Sequence, residues 1–484
     1  MTLARELVQA ARAAAKAPLP EDAALAARLH FLDAIGVGLA SAGSPIGAAY
    51  RGFAADIAKG GPATVLGQSA AAGAADAALI NGGLIHSLEF DDTHTASIAH
   101  GSAVLASGAL AVAEAQNASG AALLGAYARG WEVLIRFGLA APNGFHAKGF
   151  MSTSVTGTLT VALLAAELMR LDEDRTVAAV GIALSQASGV MEFLTNGSSV
   201  KSLHPGWAAH GGVVAAMLAR SGMTGPETSL DGKHGLFRQF TGDEAAAGRF
   251  RALIGGLGRE WHLPNAAYKF YPCCHYLHPF IEAAGKLAER GVRPGDVERI
   301  VCRVPQGEAA VICEPWERKQ APDTGHAARW SLPIAVAAQL VEGKVDLATF
   351  EAPASRAVRE LARRIDWEPL PHARFPERFE AEVVCNTRGE TQKVRIDDVF
   401  GNHTRPPGAD AVLSKFRANA ARSLKSDAVA ALERAAQDLG AARDLKALSA
   451  ALRETQDGGE RRVELRPAVA PPGQAGLRGG DVVP

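Results

Sequence analysis

From its first residues to about residue 260 the chain is written in alanine-rich, apolar stretches with helical spacing. That restricts it to a fold in which several helices bury most of their circumference. Leu25, Leu29, Leu32, Ile35 and Leu39 recur at steps of three and four, one stripe of an amphipathic helix. Pro45 stops it, because proline has no amide proton and obstructs the preceding turn. Residues 103–116, 121–140 and 158–171 are apolar on nearly every side and predict bundle helices. Residues 207–220 predict another, closed by Ser221 and Gly222, where glycine takes the left-handed cap conformation. No fixed-period repeat marks a solenoid.

Near residue 262 the pattern changes. Residues 299–305 are short and β-branched, and Phe379, Ala381, Val383 and Cys385 alternate with charged neighbours, the period of a half-buried strand. Residues 387–390 turn the chain and 391–397 alternate again, so a β-hairpin is expected, with helices at 279–290 and 331–341 before it. After Pro406-Pro407-Gly408 the chain returns to helix, with Asp410 as the expected N-cap and Leu413, Phe416, Ala420 and Leu424 on one face. The expected fold is mainly α: a large all-helical domain built from both chain ends (1–262 and 398–456) and an inserted, smaller α+β lid domain (263–397). Residues 457–484, rich in glycine and proline, are expected to be a disordered tail. A site between the two domains is the natural place for substrate.

Charge excludes several functions. Lys and Arg number 50 against 51 Asp and Glu, so no basic excess recommends nucleic acid or a membrane surface as partner. Five cysteines, two of them adjacent, are too few and too irregular for a disulfide scaffold and fit a reducing compartment. The N-terminus lacks a compact apolar region followed by a cleavage site. Apolar stretches such as 121–141 are broken by Arg129, Glu132 and Arg136, short of the ~20 residues of a membrane span. A cytoplasmic location is expected.

Three clusters carry candidate chemistry. The densest runs from His86 to His100 and holds Glu89, Asp91, Asp92, Thr93 and His94 between two apolar helical segments. It reads either as a helix end followed by a wet loop, or as an acid/base and carboxylate-binding constellation; no H-E-x-x-H or regular ligand spacing recommends a metal. The second, 196–210, holds Lys201 and His204. Its lysine is either a surface cation or a group that neutralises a substrate carboxylate or moves a proton. Ser198-x-x-Lys201 also fits a serine acyl-transfer motif, but neither S-D-N nor K-T-G follows. The third, 268–278, holds Lys269, Cys273, Cys274, His275 and His278. Consecutive cysteines without a second pair argue against zinc, and Lys269 and His278 about a turn suit an anion. Gly255-Gly256-Leu257-Gly258 neither follows a clear strand nor opens a clear helix, and no Walker A motif occurs. His262, His326 and His403 read as ordinary surface or core residues.

Taken together and in this order, the clusters resemble the MmgE/PrpD family, which includes 2-methylcitrate dehydratase and cis-aconitate decarboxylase. The resemblance runs from about residue 20 to 425. It is carried by 22–40, 74–100 with HSLEFDDTH, 197–209 with GSSVKSLHPGWAA, 269–278, and 329–338 with RWSLPIAVAA. It implies the two-domain plan above, a homodimer, and action on small di- or tricarboxylates with no metal or organic cofactor. Glu89 stands where the family usually has Asp, and Asp91, Asp92 and Thr93 match the rest of that stretch. His100, Lys201, Lys269 and His278 each match a residue of the family pattern. Met151 falls where the family often has histidine, with His146 five residues earlier; Cys274 falls where the decarboxylases have histidine, and Ile334 where they have tyrosine.

The expected mechanism acidifies or protonates a carbon beside a carboxylate. Lys201 and Lys269 clamp carboxylates and stabilise the developing enolate-like charge. His100 serves as general base or acid, Asp91 or Glu89 orients it, and Thr93 donates a hydrogen bond. His94, His204, Cys274, His275 and His278 complete the expected substrate site. The leading expectation is a lyase that dehydrates a 2-methylcitrate-like hydroxy acid. Its rivals are a cis-aconitate-type decarboxylase, an epimerase of an iminodisuccinate-type dicarboxylate, and a helical dimer that binds a carboxylate without turnover.

Overall fold

The chain is seen in a computed structural model that describes residues 1–195 and 198–455. The tail expected at 457–484 lies outside the described residues. The protein is mainly helical. Helix Glu21–Ala42 runs through the centre, helices Ala74–His86, Gly101–Ala115 and Gly120–Ala140 pack on it, and Ser152–Leu168 and Leu203–Arg220 pack on those in turn. One apolar core takes residues from Leu3 to Ala266 and adds Phe416 to Leu452 from the returning chain; a second takes Cys273 to Ile396.

Several expected boundaries move for local reasons. The helix expected at 158–171 begins at Ser152, because Thr156, Thr158 and Thr160 turn their hydroxyls back onto carbonyls four residues earlier and so tolerate a buried helix. It ends at Leu168, and Arg170 beyond it has φ +55°. Asp410 is not the N-cap: Gly408 is, and Asp410 lies in the first turn, where its charge complements the helix dipole. That helix stops at Ala420, short of Leu424. Helix Glu21–Ala42, interrupted by Arg28 and Asp33, is the described helix of spanning length. It is long and apolar enough to cross a membrane, yet 72% of its apolar window is buried inside the protein, as a core helix requires.

The expected hairpin is present as Ala381–Thr387 paired antiparallel with Thr391–Ile396. Val297–Val304 adds antiparallel to its other side, and Ile365–Pro369, a strand the sequence pattern did not announce, runs parallel to Val297–Val304 at the edge. Helix His278–Glu289 lies against this sheet.

Two close approaches set the geometry of the site. Gly82 and Gly206 bring helices Ala74–His86 and Leu203–Arg220 together: a Cβ on Gly206 would stand 2.2 Å from the Leu79 carbonyl oxygen. Lys415, on the returning helix Ala409–Ala420, donates to Asp33 and to the Phe90 carbonyl oxygen, each at 2.9 Å, and so ties the far end of the chain to the 86–100 loop.

Candidate active site

Helix Ala74–His86 ends at its own chemistry. The chain leaves it through Ser87, and Glu89 follows at φ +53°, a left-handed conformation that glutamate rarely takes. Thr93 then pairs with Ala267 through two backbone hydrogen bonds, and His94 with Ala99, so the loop folds back and delivers His100 to the start of helix Gly101–Ala115. The wet-loop reading fails here: Glu89, Asp91, Asp92 and Thr93 are all buried.

Glu89 is the hub. Its two carboxylate oxygens each accept from the Lys201 ammonium at 2.6 Å, and Lys269 lies 3.8 Å from one of them while donating to the Glu89 carbonyl at 3.2 Å. Burial by itself would raise the Glu89 carboxyl; Lys201, Lys269, His86 and His100 outweigh it and hold the group well below the usual carboxylate range. Lys201 also lies over the Trp330 ring, 5.3 Å from its centre.

His100 is held by its Nδ1, which lies 3.1 Å from the Asp92 carbonyl oxygen and 3.1 Å from the Thr93 hydroxyl. A carbonyl only accepts, so Nδ1 carries the proton and Nε2 keeps its lone pair. Asp91 stands 3.7 Å away and bonds His86 Nδ1 at 2.8 Å. Burial first, then the Lys269 charge, pushes His100 well below the ordinary histidine range, so the free site holds a neutral imidazole. His86, Asp91 and His100 do bring three ligand atoms within 4.8 Å. Two lysine ammoniums beside them already supply the positive charge that a cation would bring, and the group reads as an acid/base relay.

These groups open on a cavity of about 210 Å³. Glu89, Thr93, His100, Lys201, Lys269, Cys274 and His275 line it. Four other expected residues do not. Asp91 sits behind His100. His94 bonds Ser97 at 2.9 Å, His204 packs edge-on against Phe193, and His278 is enclosed by Tyr271 and His275. Sequence reasoning also missed wall residues, among them Asn143, Met191, Phe193, Tyr276, Trp330, Phe375 and Phe379. Two of these carried a signal, Trp330 from its place in RWSLP and Tyr276 from its place in the 268–278 cluster. Arg329, the neighbour of Trp330, donates to the Leu88 carbonyl at 2.7 Å and also to the Pro272 carbonyl, clamping the first and third clusters together.

The MmgE/PrpD N-terminal domain matches residues 5–248 and the MmgE/PrpD C-terminal domain matches residues 271–440. The chain belongs to the MmgE/PrpD family. It is 31% identical to a human cis-aconitate decarboxylase over 78% of this chain and 79% of that protein. It is 30% identical to the cis-aconitate decarboxylase-like protein oryM of Aspergillus oryzae over 69% of this chain and 72% of the other. A mouse cis-aconitate decarboxylase is 29% identical over 74% of each. At the positions that depart from the MmgE/PrpD pattern, Met151 and Cys274 line the cavity, whereas Ile334 is buried in helix Leu332–Glu342 outside its lining. His146 lines the same cavity as Met151, so an imidazole is present there from a different place in the chain.

Proposed function

We propose that the chain is a lyase that releases CO₂ from a small unsaturated carboxylate of the cis-aconitate type. The observation that carries this reading is Glu89 held between Lys201 and Lys269 beside His100, on the wall of one cavity. A substrate carboxylate exchanges with Glu89 on the lysines. In the chemical step the bond from CH₂ to one carboxylate carbon breaks, its electron pair forms a new C=C bond, and the displaced double bond takes a proton at its far carbon. The lysines hold the negative charge that develops, an interaction that gains strength in a water-poor site. Burial first, and then the Lys269 charge, keeps His100 deprotonated in the free site. Substrate carboxylates added beside Lys269 and Lys201 offset that charge, which lifts His100 toward its imidazolium and lets it donate the proton.

Dehydration of a 2-methylcitrate-like hydroxy acid is the second reading, and Tyr276 favours it. Its hydroxyl belongs to a residue of the cavity wall and burial keeps its proton on, so it can protonate a departing hydroxide. Proton NMR in D₂O with cis-aconitate, 2-methylcitrate and iminodisuccinate tests both readings. Loss of CO₂ from cis-aconitate, with a new CH₂= signal and one deuterium at the former vinyl carbon, supports the proposal. Vinylic signals from 2-methylcitrate move the assignment to dehydration, and deuterium entering an unchanged skeleton moves it to epimerisation. No release of CO₂ from cis-aconitate, nor from analogues in which its central carboxylate is replaced, overturns the proposal.

A further inference from the structure

Five polar groups of the cavity form one connected set: Thr93, His100, Glu89, Lys201 and Lys269 are linked in series by contacts of 3.8 Å or less, with Asp91 and His86 bridging His100 to Glu89 from behind the wall. Much of the remaining wall is apolar. Tyr276, Phe375 and Phe379 pack on one another with ring centres 5.0–6.0 Å apart. Met151 and Met191 enter from two segments tied by backbone hydrogen bonds of 2.8 Å between 149 and 191 and between 151 and 189, and Phe193 follows on the second. Charge is sparse. Among the described lining residues there are two ammoniums against one carboxylate, a net of one positive charge, and Asp91 lies just behind. Two substrate carboxylates already turn that balance to one net negative charge, and a third would bury a further one against a wall that is apolar beyond Lys201, Lys269 and His100, which is costly.

We infer that the substrate is a dicarboxylate carrying an apolar alkyl or aryl arm: the two carboxylates lie on the Lys201, Lys269 and His100 side, and the arm packs among Met151, Met191, Phe193, Tyr276, Phe375 and Phe379. The inference rests on the lyase reading of the same cavity and narrows its substrate class. The matching acid is HOOC–CH₂–C(R)=CH–COOH, with R apolar where cis-aconitate has its central carboxylate. The step of the preceding section then yields CO₂ and CH₂=C(R)–CH₂–COOH, with the proton supplied by the site.

Binding and turnover are tested separately. Saturated 3-alkylglutarates have no double bond and cannot follow this route, so calorimetric titration reads the arm alone. Affinity should rise by about fourfold for each methylene from 3-methyl- to 3-butylglutarate. The butyl acid should also bind more tightly than tricarballylate, which carries a carboxylate in place of the arm. Phe193→Ala should flatten the chain-length series, and Phe375→Ala serves if the first variant does not fold. An affinity that stays level or falls with chain length, or tighter binding of tricarballylate, overturns the inference. Release of CO₂ from cis-aconitate together with that result would leave the lyase reading standing. Tight binding of 3-butylglutarate with no CO₂ from 3-butylglutaconate would retain the arm and remove the lyase.

Discussion

Lys201 and Glu89 lie 112 residues apart in the chain and meet with both carboxylate oxygens 2.6 Å from the ammonium nitrogen. Each neutralises the other away from bulk water, so their worth shows chiefly when one is removed.

Lys201→Ala should lower kcat/KM by about 10²–10³-fold, the scale of losing one donor to a developing anion. It also strands a buried carboxylate, which costs about 3–5 kcal/mol of stability. Adding Glu89→Gln should return more than half of that stability without returning activity. Urea denaturation of the two single variants and the double variant checks this, and purely additive losses would contradict the buried pair.

His100→Asn should reduce kcat by about 10²–10⁴-fold, the range for a positioned acid or base, with a small change in melting temperature. Asp91→Asn acts through His86 and His100 and should shift the pH profile of kcat as well as lower it. A variant that lost rate with an unmoved profile would make Asp91 structural only.

Gly206→Ala places a methyl 2.2 Å from the Leu79 carbonyl oxygen, backbone that cannot rotate away. Helices Ala74–His86 and Leu203–Arg220 must part, and they flank Glu89 and Lys201. The expected result is a lower melting temperature together with a raised KM. A control beyond the far end of the same helix, Gly222→Ala, meets no neighbour within 4 Å and changes only local strain at φ +98°. Equal effects from the two would refute a role for the close approach.

Acid should destabilise the protein well above the carboxylate range. Burial, then neighbouring His262 and His403, lowers His94 to about 3, and burial followed by His86 and Lys201 lowers His204 to about 4, against an ordinary value of 6.5. Each is neutral when folded and takes a proton more readily when unfolded. Stability is therefore full above about pH 6.5 and falls as the pH drops below it, by about 1.4 kcal/mol per pH unit for a fully buried histidine. Melting temperatures from pH 8 to 5 should be level to about 6.5 and then fall. His94→Gln should soften the fall, and a level curve to pH 5 would contradict it.

Much of this molecule is legible in its sequence where a feature repeats or clusters. Leu25 to Leu39 announces the central helix, and the alternation around Val383 announces the hairpin. Strand Ile365–Pro369 escapes because it is five residues long, ends in proline and sits at the sheet edge, so it shows no period to count. In the site, ionisable residues concentrated within 86–100 and within SSVKSLH made Glu89, His100 and Lys201 readable. The wall was not. Met191, Phe193, Phe375 and Phe379 are ordinary apolar letters, and only folding reveals that they border a cavity instead of a core. His94, His204 and His278 failed the other way, since proximity in sequence to the reacting groups does not turn a side chain toward the cavity.

The bond from Lys415 to the Phe90 carbonyl spans 325 residues. At a synthesis rate of about 5–20 residues per second, the 86–100 loop waits roughly 15–65 s on the ribosome before its anchor is made. Through that interval Asp33 also lacks its ammonium partner. The nascent protein therefore gains its catalytic centre late, and a ribosome that stops before residue 415 releases a chain with most of its helices and an unfinished site.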